Sequence, residues 1–371
     1  MQESDLHTLT TLLLCSAFAL SAVFGALAQR THFCTMGAIA DVVNMGDWTR
    51  MRMWVLAIAV AIVGFNGMVG AGWIAARHSF YASPTLLWLS ALSGGALFGF
   101  GMVLASGCGS KSLVRLGGGS LKALVVLVVM AVAGFATLRG LAAVIRVATV
   151  DTVSIQLPQG QDLPTLLAAW LGAPVPQVAW TLGLAVGLVL LAWVLWKPEG
   201  RSAEVWLGGA GSGAVVVAMW WLSGRVGHLL EHPLTLEEVF LATNSRRMEA
   251  LSMAAPVGYA LDWLLYFSDT SKLLTMGIAS VVGVFVGSAV VALITRTFRW
   301  ESFSSVDDMA NHLVGAILMG VGGVTALGCT VGQGLSGIST LSLGSGLALA
   351  GIVAGGVAAL RYQVWRLERM V

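Results

Sequence analysis

The sequence predicts an all-α polytopic membrane protein with about nine transmembrane helices and short re-entrant helical loops, built on an internal inverted repeat. Three observations carry that prediction. The 371 residues are 57% hydrophobic and 10% charged, with a mean hydropathy of +0.86, values that a water-soluble domain does not need to reach. Apolar runs long enough to cross about 30 Å of hydrocarbon recur along the whole length. The stretch at 99–116, GFGMVLASGCGSKSLVRL, returns at 320–337 as GVGGVTALGCTVGQGLSG.

Taken in order, residues 9–28, 51–76, 86–106, 121–138, 178–196, 205–222, 273–295, 309–327 and 343–360 read as spans. The first is a retained span, because Glu3 and Asp5 stand where a signal peptide would be basic. The pieces 31–43, 108–116, 253–267 and 329–341 are too apolar for ordinary loops and read as re-entrant helices, tolerated at depth only under a cover of protein or a polar cavity. Residues 151–176, with Pro158, Gly160, Pro164, Pro174 and Pro176, and the charged stretch 225–249 are extramembrane excursions too short to be domains. The 46 glycines against 8 prolines imply close helix approach. Trp54, Trp196 and Trp365, near span ends, read as interfacial anchors.

Each copy of the repeated stretch reads Gly-x-Gly-x5-Gly-Cys, with Cys108 and Cys329 221 residues apart. The same offset relates Gly37 to Gly258, Asp41 to Asp262 and Gly94 to Gly315. The chain is thus one transmembrane domain: a first repeat at about 30–140, a peripheral insertion at about 141–244 and a second repeat at about 251–360, with 9–28 also peripheral. An odd number of crossings, five, separates equivalent points, so the second copy enters the membrane upside down. In each copy a glycine-faced segment runs into the cysteine and small polar residues follow, the pattern of a helix broken at depth. Cys34 breaks the symmetry, since its partner position is Ala255.

The four cysteines include no CxxC pair, no His/Cys spacing suits zinc, and no cofactor motif is present, so free thiols are expected. Cys15, in an unbroken span, reads as a small hydrophobe. Asp41 and Asp262 read as caps or bridges of the loop helices, and His32 as a satisfied loop histidine. No basic cluster indicates nucleic acid, and the bilayer is the evident partner. Counting Lys and Arg near span ends places thirteen of the twenty inside if the N-terminus is outside, so N-out and C-in is expected.

The HFCTMGAIAD stretch around Cys34, the SGCGS stretch around Cys108 and the LGCTVGQG stretch around Cys329 resemble the YeeE/YedE sulphur-transport family over nearly the whole chain. The resemblance implies thiosulfate uptake across the bacterial inner membrane and nine helices around short helical loops. It also implies a narrow central path on which Cys34, Cys108 and Cys329 pass the anion from thiol to thiol. A small sulfur-carrier or sulfurtransferase protein on the cytoplasmic side is a partner consistent with it. The insertion around 156–166 matches no functional motif.

Thiosulfate is a dianion with a soft terminal sulfur, and burying its charge unmet in hydrocarbon costs many kcal/mol. The N–H groups of Gly109, Ser110 and Lys111, and of Thr330, Val331 and Gly332, are expected at the starts of short helices, where unpaired donors attract anions. Neutral thiols add weak donors, and shallow sites suit conduction. Lys111 is either an attractor of the anion or a positive-inside anchor. Two alternatives remain open at this point: a selenium species or another small sulfur anion as cargo, and a membrane sulfurtransferase carrying a persulfide on Cys108 or Cys329. The enzyme needs an activated thiolate, and Lys111 is the one charged residue beside either cysteine.

Overall fold

The computed structural model describes residues 3–233, 236–269 and 271–369. The first half runs through α1 (Glu3–Arg30), α2 (Thr35–Met45), α3 (Thr49–Gly70), α4 (Trp88–Leu104), α5 (Gly109–Gly117) and α6 (Leu121–Arg139). Then come α7 (Leu141–Ala148), α8 (Leu163–Leu171), α9 (Val175–Leu195) and α10 (Ala203–Trp221). The second half adds α11 (Ala254–Leu265), α12 (Met276–Ile294), α13 (Val306–Thr325) and α14 (Leu343–Glu368). Among the described residues eight helices are long and apolar enough to cross a membrane. The 20-residue α13 is more polar, with Asp307, Asp308, Asn311 and His312 in its first turns. All nine expected spans are helices, and the protein is a multi-pass membrane protein. Two antiparallel ribbons, β1 (Thr85–Leu86) with β2 (Ile155–Gln156) and β3 (His228–Leu229) with β4 (Val239–Phe240), are the paired strands among the described residues.

Glycines set the helix contacts, because without side chains the backbones can meet. At the α4–α13 crossing, methyl groups built on Gly101 and Gly315 would each lie 2.6 Å from the other's carbonyl oxygen. A few turns along, a methyl on Gly94 would lie 2.9 Å from the Gly322 carbonyl oxygen, and one on Gly322 2.6 Å from that of Gly94. Gly94 and Gly315 are 221 apart, as are Gly101 and Gly322, so offset-related residues exchange partners across one antiparallel interface.

The helix ends at the two breaks match bond for bond. Gly107 N donates to Met102 O and Gly328 N to Gly323 O, both at 2.8 Å. Ser106 N donates to Val103 O and Leu327 N to Val324 O, both at 3.1 Å. Ser106 (φ 56°) and Leu327 (φ 58°) are left-handed, so α4 and α13 both stop in a Schellman turn, made here without glycine at the left-handed residue. After the breaks the copies diverge. Cys108 starts the α-helix α5, whereas the residues after Cys329 form a π-type turn, Gly332–Gly337, in place of the expected short α-helix. Ser120 and Ser342 then precede α6 and α14, so the offset there is 222.

Two expectations are corrected. Neither 9–28 nor all of 141–244 is peripheral: Gly283 of α12 closes on Phe18 O of α1, and Gly209 and Gly213 of α10 close on Met53 O and Ala57 O of α3. Trp220 of α10 is fully buried, stacked edge-on with Phe65 at 5.0 Å. The apolar pattern alone could not separate a lipid-facing helix from one whose glycine face is covered. Trp54 is also no interfacial anchor. It is buried against Gly334, whereas Trp196 and Trp365 are exposed.

Candidate functional site

Three thiols are buried, Cys34, Cys108 and Cys329, while Cys15 is exposed on α1. Each buried cysteine ends an irregular stretch and begins a turn, and the local backbone explains how each is held. Cys34 is the N-cap of α2, its Sγ accepting from Gly37 N at 3.3 Å. Cys329 Sγ accepts from Gly332 N and from Met253 N, both at 3.4 Å. Cys108 caps α5 without such a bond, and its Sγ pairs instead with Ser110 Oγ at 3.1 Å. The Gly332 N–H, expected to face a ligand, is therefore turned onto the cysteine sulfur.

Cys108 lies within electrostatic reach of both Cys34 and Cys329. Residues from both breaks reach Cys34. Ser110, Lys111 and Val331 line one small pocket with it, closed on the other side by Phe24 and Ala28 of α1. That pocket measures about 10 Å³, at the lower limit for one water. Gly109 packs on Met130 of α6, and Thr330 is buried with no hydrogen-bond partner for its hydroxyl among the described residues.

Beyond Cys329 the structure opens. A cavity of about 270 Å³ is bounded by Leu327 and Gly328 of the second break, by Ser252, Ala255 and Tyr259, and by Arg146 and Glu249. Arg146 is ion-paired to Asp151 at 3.2 Å. Burial pushes the Glu249 carboxyl above its ordinary range, against the hydrogen bond it accepts from Ser245 N at 2.7 Å.

The second break is held from several sides. Trp220 Nε1 donates to Ser339 Oγ at 2.9 Å, Asn66 Nδ2 to Ser339 O at 3.0 Å, and Ser336 Oγ to Leu251 O at 2.6 Å. Gln333 Nε2 donates to Ala326 O, tying the turn after Cys329 to the helix end before it. The loop helices are tied at equivalent places: Asp41 pairs with Arg50 at 2.9 Å and Asp262 with Lys272 at 2.6 Å. Nothing in the amino-acid pattern marks Tyr81, whose hydroxyl lies with Ser252 Oγ over Gly332; a methyl there would be 3.5 and 2.6 Å from them. Ser252 had a faint signal, since the 221 offset pairs it with Thr31, just ahead of Cys34.

The arrangement is a wide cavity beside the second break, three buried thiols at the helix breaks and the start of α2, and a closed pocket at Cys34. Among known proteins, the family model described as Sulphur transport matches residues 30–358. The thiosulfate transporter TsuA of Escherichia coli (strain K12) is 27% identical over 324 residues, 86% of this chain and 86% of that protein. The thiosulfate transporter TsuA of Spirochaeta thermophila is 24% identical over 335 residues, 88% of this chain and 92% of its own. The probable transporter YedE of Escherichia coli (strain K12) is 31% identical over 94 residues, 25% of this chain and 21% of that one.

Proposed function

The chain belongs to the Sulphur transport family, and on that footing we propose that it takes up thiosulfate, the anion named in two relatives matched over most of their length. It is a transporter and not an enzyme. The observation that carries the reading is that Cys34, Cys108 and Cys329 are the buried thiols among the described residues, two of them at the helix breaks, with a cavity beside the second break and a closed pocket at Cys34.

The chemistry suits a soft dianion. Ser110 and Thr330 hydroxyls and the N–H groups of Gly109, Ser110, Lys111, Thr330 and Val331 offer hydrogen bonds in place of water, and Lys111 supplies positive charge beside Cys34. Thiols add donors weak enough for the anion to leave each one. In this reading thiosulfate enters at the cavity beside Tyr259 and Ser252 and passes Cys329, Cys108 and Cys34 in turn. The two halves are related by a pseudo-two-fold axis in the membrane plane, supported by the exchanged Gly94–Gly322 and Gly101–Gly315 contacts. The excess of basic residues on the Cys34 side supports a cytoplasmic placement of that side in the inner membrane, with the N-terminus outside. A sulfur-carrier or sulfurtransferase protein would collect the product there.

Uptake of labelled thiosulfate into proteoliposomes, with growth of a sulfur-auxotrophic bacterium on thiosulfate alone, tests the reading. Saturable uptake supports it. Uptake of selenite or sulfite with no competition from thiosulfate would replace the cargo, and a stable extra sulfur on Cys108 or Cys329 after exposure would replace transport by sulfur transfer.

A further inference from the structure

The transport path makes no use of a side-chain cluster on the cavity's face of the molecule. His78 closes the short turn Ala76–His78, and His228 and Glu238 stand on the β3–β4 hairpin, far away in sequence. Both imidazoles turn Nε2 toward one carboxylate oxygen, with Glu238 Oε1 2.6 Å from His228 Nε2 and 3.6 Å from His78 Nε2. The three donor atoms lie within 4.8 Å of one another.

The surroundings fix these ligands. Met248 N donates to His78 O at 2.9 Å, and Phe80 N returns a bond to Met248 O at 3.0 Å. His228 pairs in register with Phe240 and stacks on its ring at 4.6 Å, and the His78 ring meets the same phenyl edge-on at 5.5 Å.

Two imidazoles and one carboxylate make a donor set for a borderline cation; Ca²⁺ and Mg²⁺ take oxygen ligands. Tetrahedral Zn²⁺ with bonds of about 2.0–2.2 Å holds its ligand atoms about 3.3 Å apart. The two separations to the carboxylate oxygen, 2.6 and 3.6 Å, bracket that value, and the third pair lies within 4.8 Å, so small side-chain shifts close the set around a metal. The geometry points to a Zn²⁺-binding site formed by His78, His228 and Glu238, with a fourth position open to water, that clasps the 76–86 stretch to the β3–β4 hairpin. The clasp matters because Phe80 and Tyr81, on that stretch, form part of the cavity wall. Arg77 Nε now donates to His78 Nε2 at 3.1 Å, and its exposed guanidinium competes with a metal for the same lone pair.

The test uses the full chain in detergent, stripped by chelator and titrated with Zn²⁺ and with Co²⁺. Expected are one site per chain, a melting temperature that rises with Zn²⁺, and the visible absorption of four-coordinate Co²⁺. His228→Ala and Glu238→Gln should each weaken binding by about tenfold or more, while Arg77→Ala should tighten it. The path thiols are competing soft ligands, so the Cys34→Ala/Cys108→Ala/Cys329→Ala variant serves as the control, in which the site should survive. A Zn²⁺ effect that persists in His78→Ala/His228→Ala but vanishes without the cysteines would overturn the proposal. So would the absence of any shift in the unaltered protein.

Discussion

Gly101 and Gly315 close on each other reciprocally, each with room for nothing larger than hydrogen against the other's carbonyl. Gly101→Val should therefore force α4 and α13 apart, at a cost of about 1–3 kcal/mol of overpacking. The measurement is the melting temperature and folded yield in detergent. Gly346→Val, where a side chain would meet open space within 4 Å, should leave both unchanged; equal loss in the two variants would refute the contact's role.

Replacing Cys108 by Ala should lower thiosulfate uptake about tenfold or more, a change of about 1.4 kcal/mol in the barrier. Cys34→Ala and Cys329→Ala should do the same in equally expressed protein, and the exposed Cys15→Ala should not. Uptake by the Cys15 variant as poor as that of the Cys108 variant would remove the thiols from the mechanism.

Glu249 makes uptake pH-dependent. Its carboxyl, pushed up by burial, is neutral below the raised pKa and ionises as pH rises through it, lining the cavity with negative charge that repels an entering anion. Uptake should then fall with rising pH, and Glu249→Gln should flatten that fall while matching the unaltered protein at the acidic end. A pH profile unmoved by the substitution would exclude Glu249 from the entrance.

Asn66 holds the second break by its bond to Ser339 O. Asn66→Leu leaves that carbonyl without this donor in a buried setting, which costs about 1–3 kcal/mol. The expected result is a lower melting temperature together with a larger relative loss of uptake than Gly101→Val shows at the same stability.

Much of the fold was legible because membrane helices announce themselves by length and hydropathy, and because the cysteine signature repeats at a fixed offset. The offset also matched Asp41 to Asp262 as caps or bridges of the loop helices, though not their ion-pair partners Arg50 and Lys272. What escaped depends on contacts between distant parts of the chain. Gly209 of α10 looks like any glycine of an apolar run until Met53 is beside it. Tyr81 sits in a loop with no repeat partner to flag it, and the π-type turn after Cys329 differs from α5 although the sequences align. The His78, His228 and Glu238 cluster has no spacing to read, since it forms only when the β3–β4 hairpin packs on the turn at Ala76–His78.

The unmatched pair Cys34 and Ala255 gives the molecule a polarity. A carrier whose two mouths were copies of each other would meet its cargo alike from either side. Here Ala255 lines the wide cavity and Cys34 the pocket with space for about one water, so one entrance offers an inert methyl and room, the other a thiol and a tight fit. On the proposed path the anion would be held differently at each end. Half-saturation measured from the two sides should then differ, while the gradient alone sets the direction of net flow.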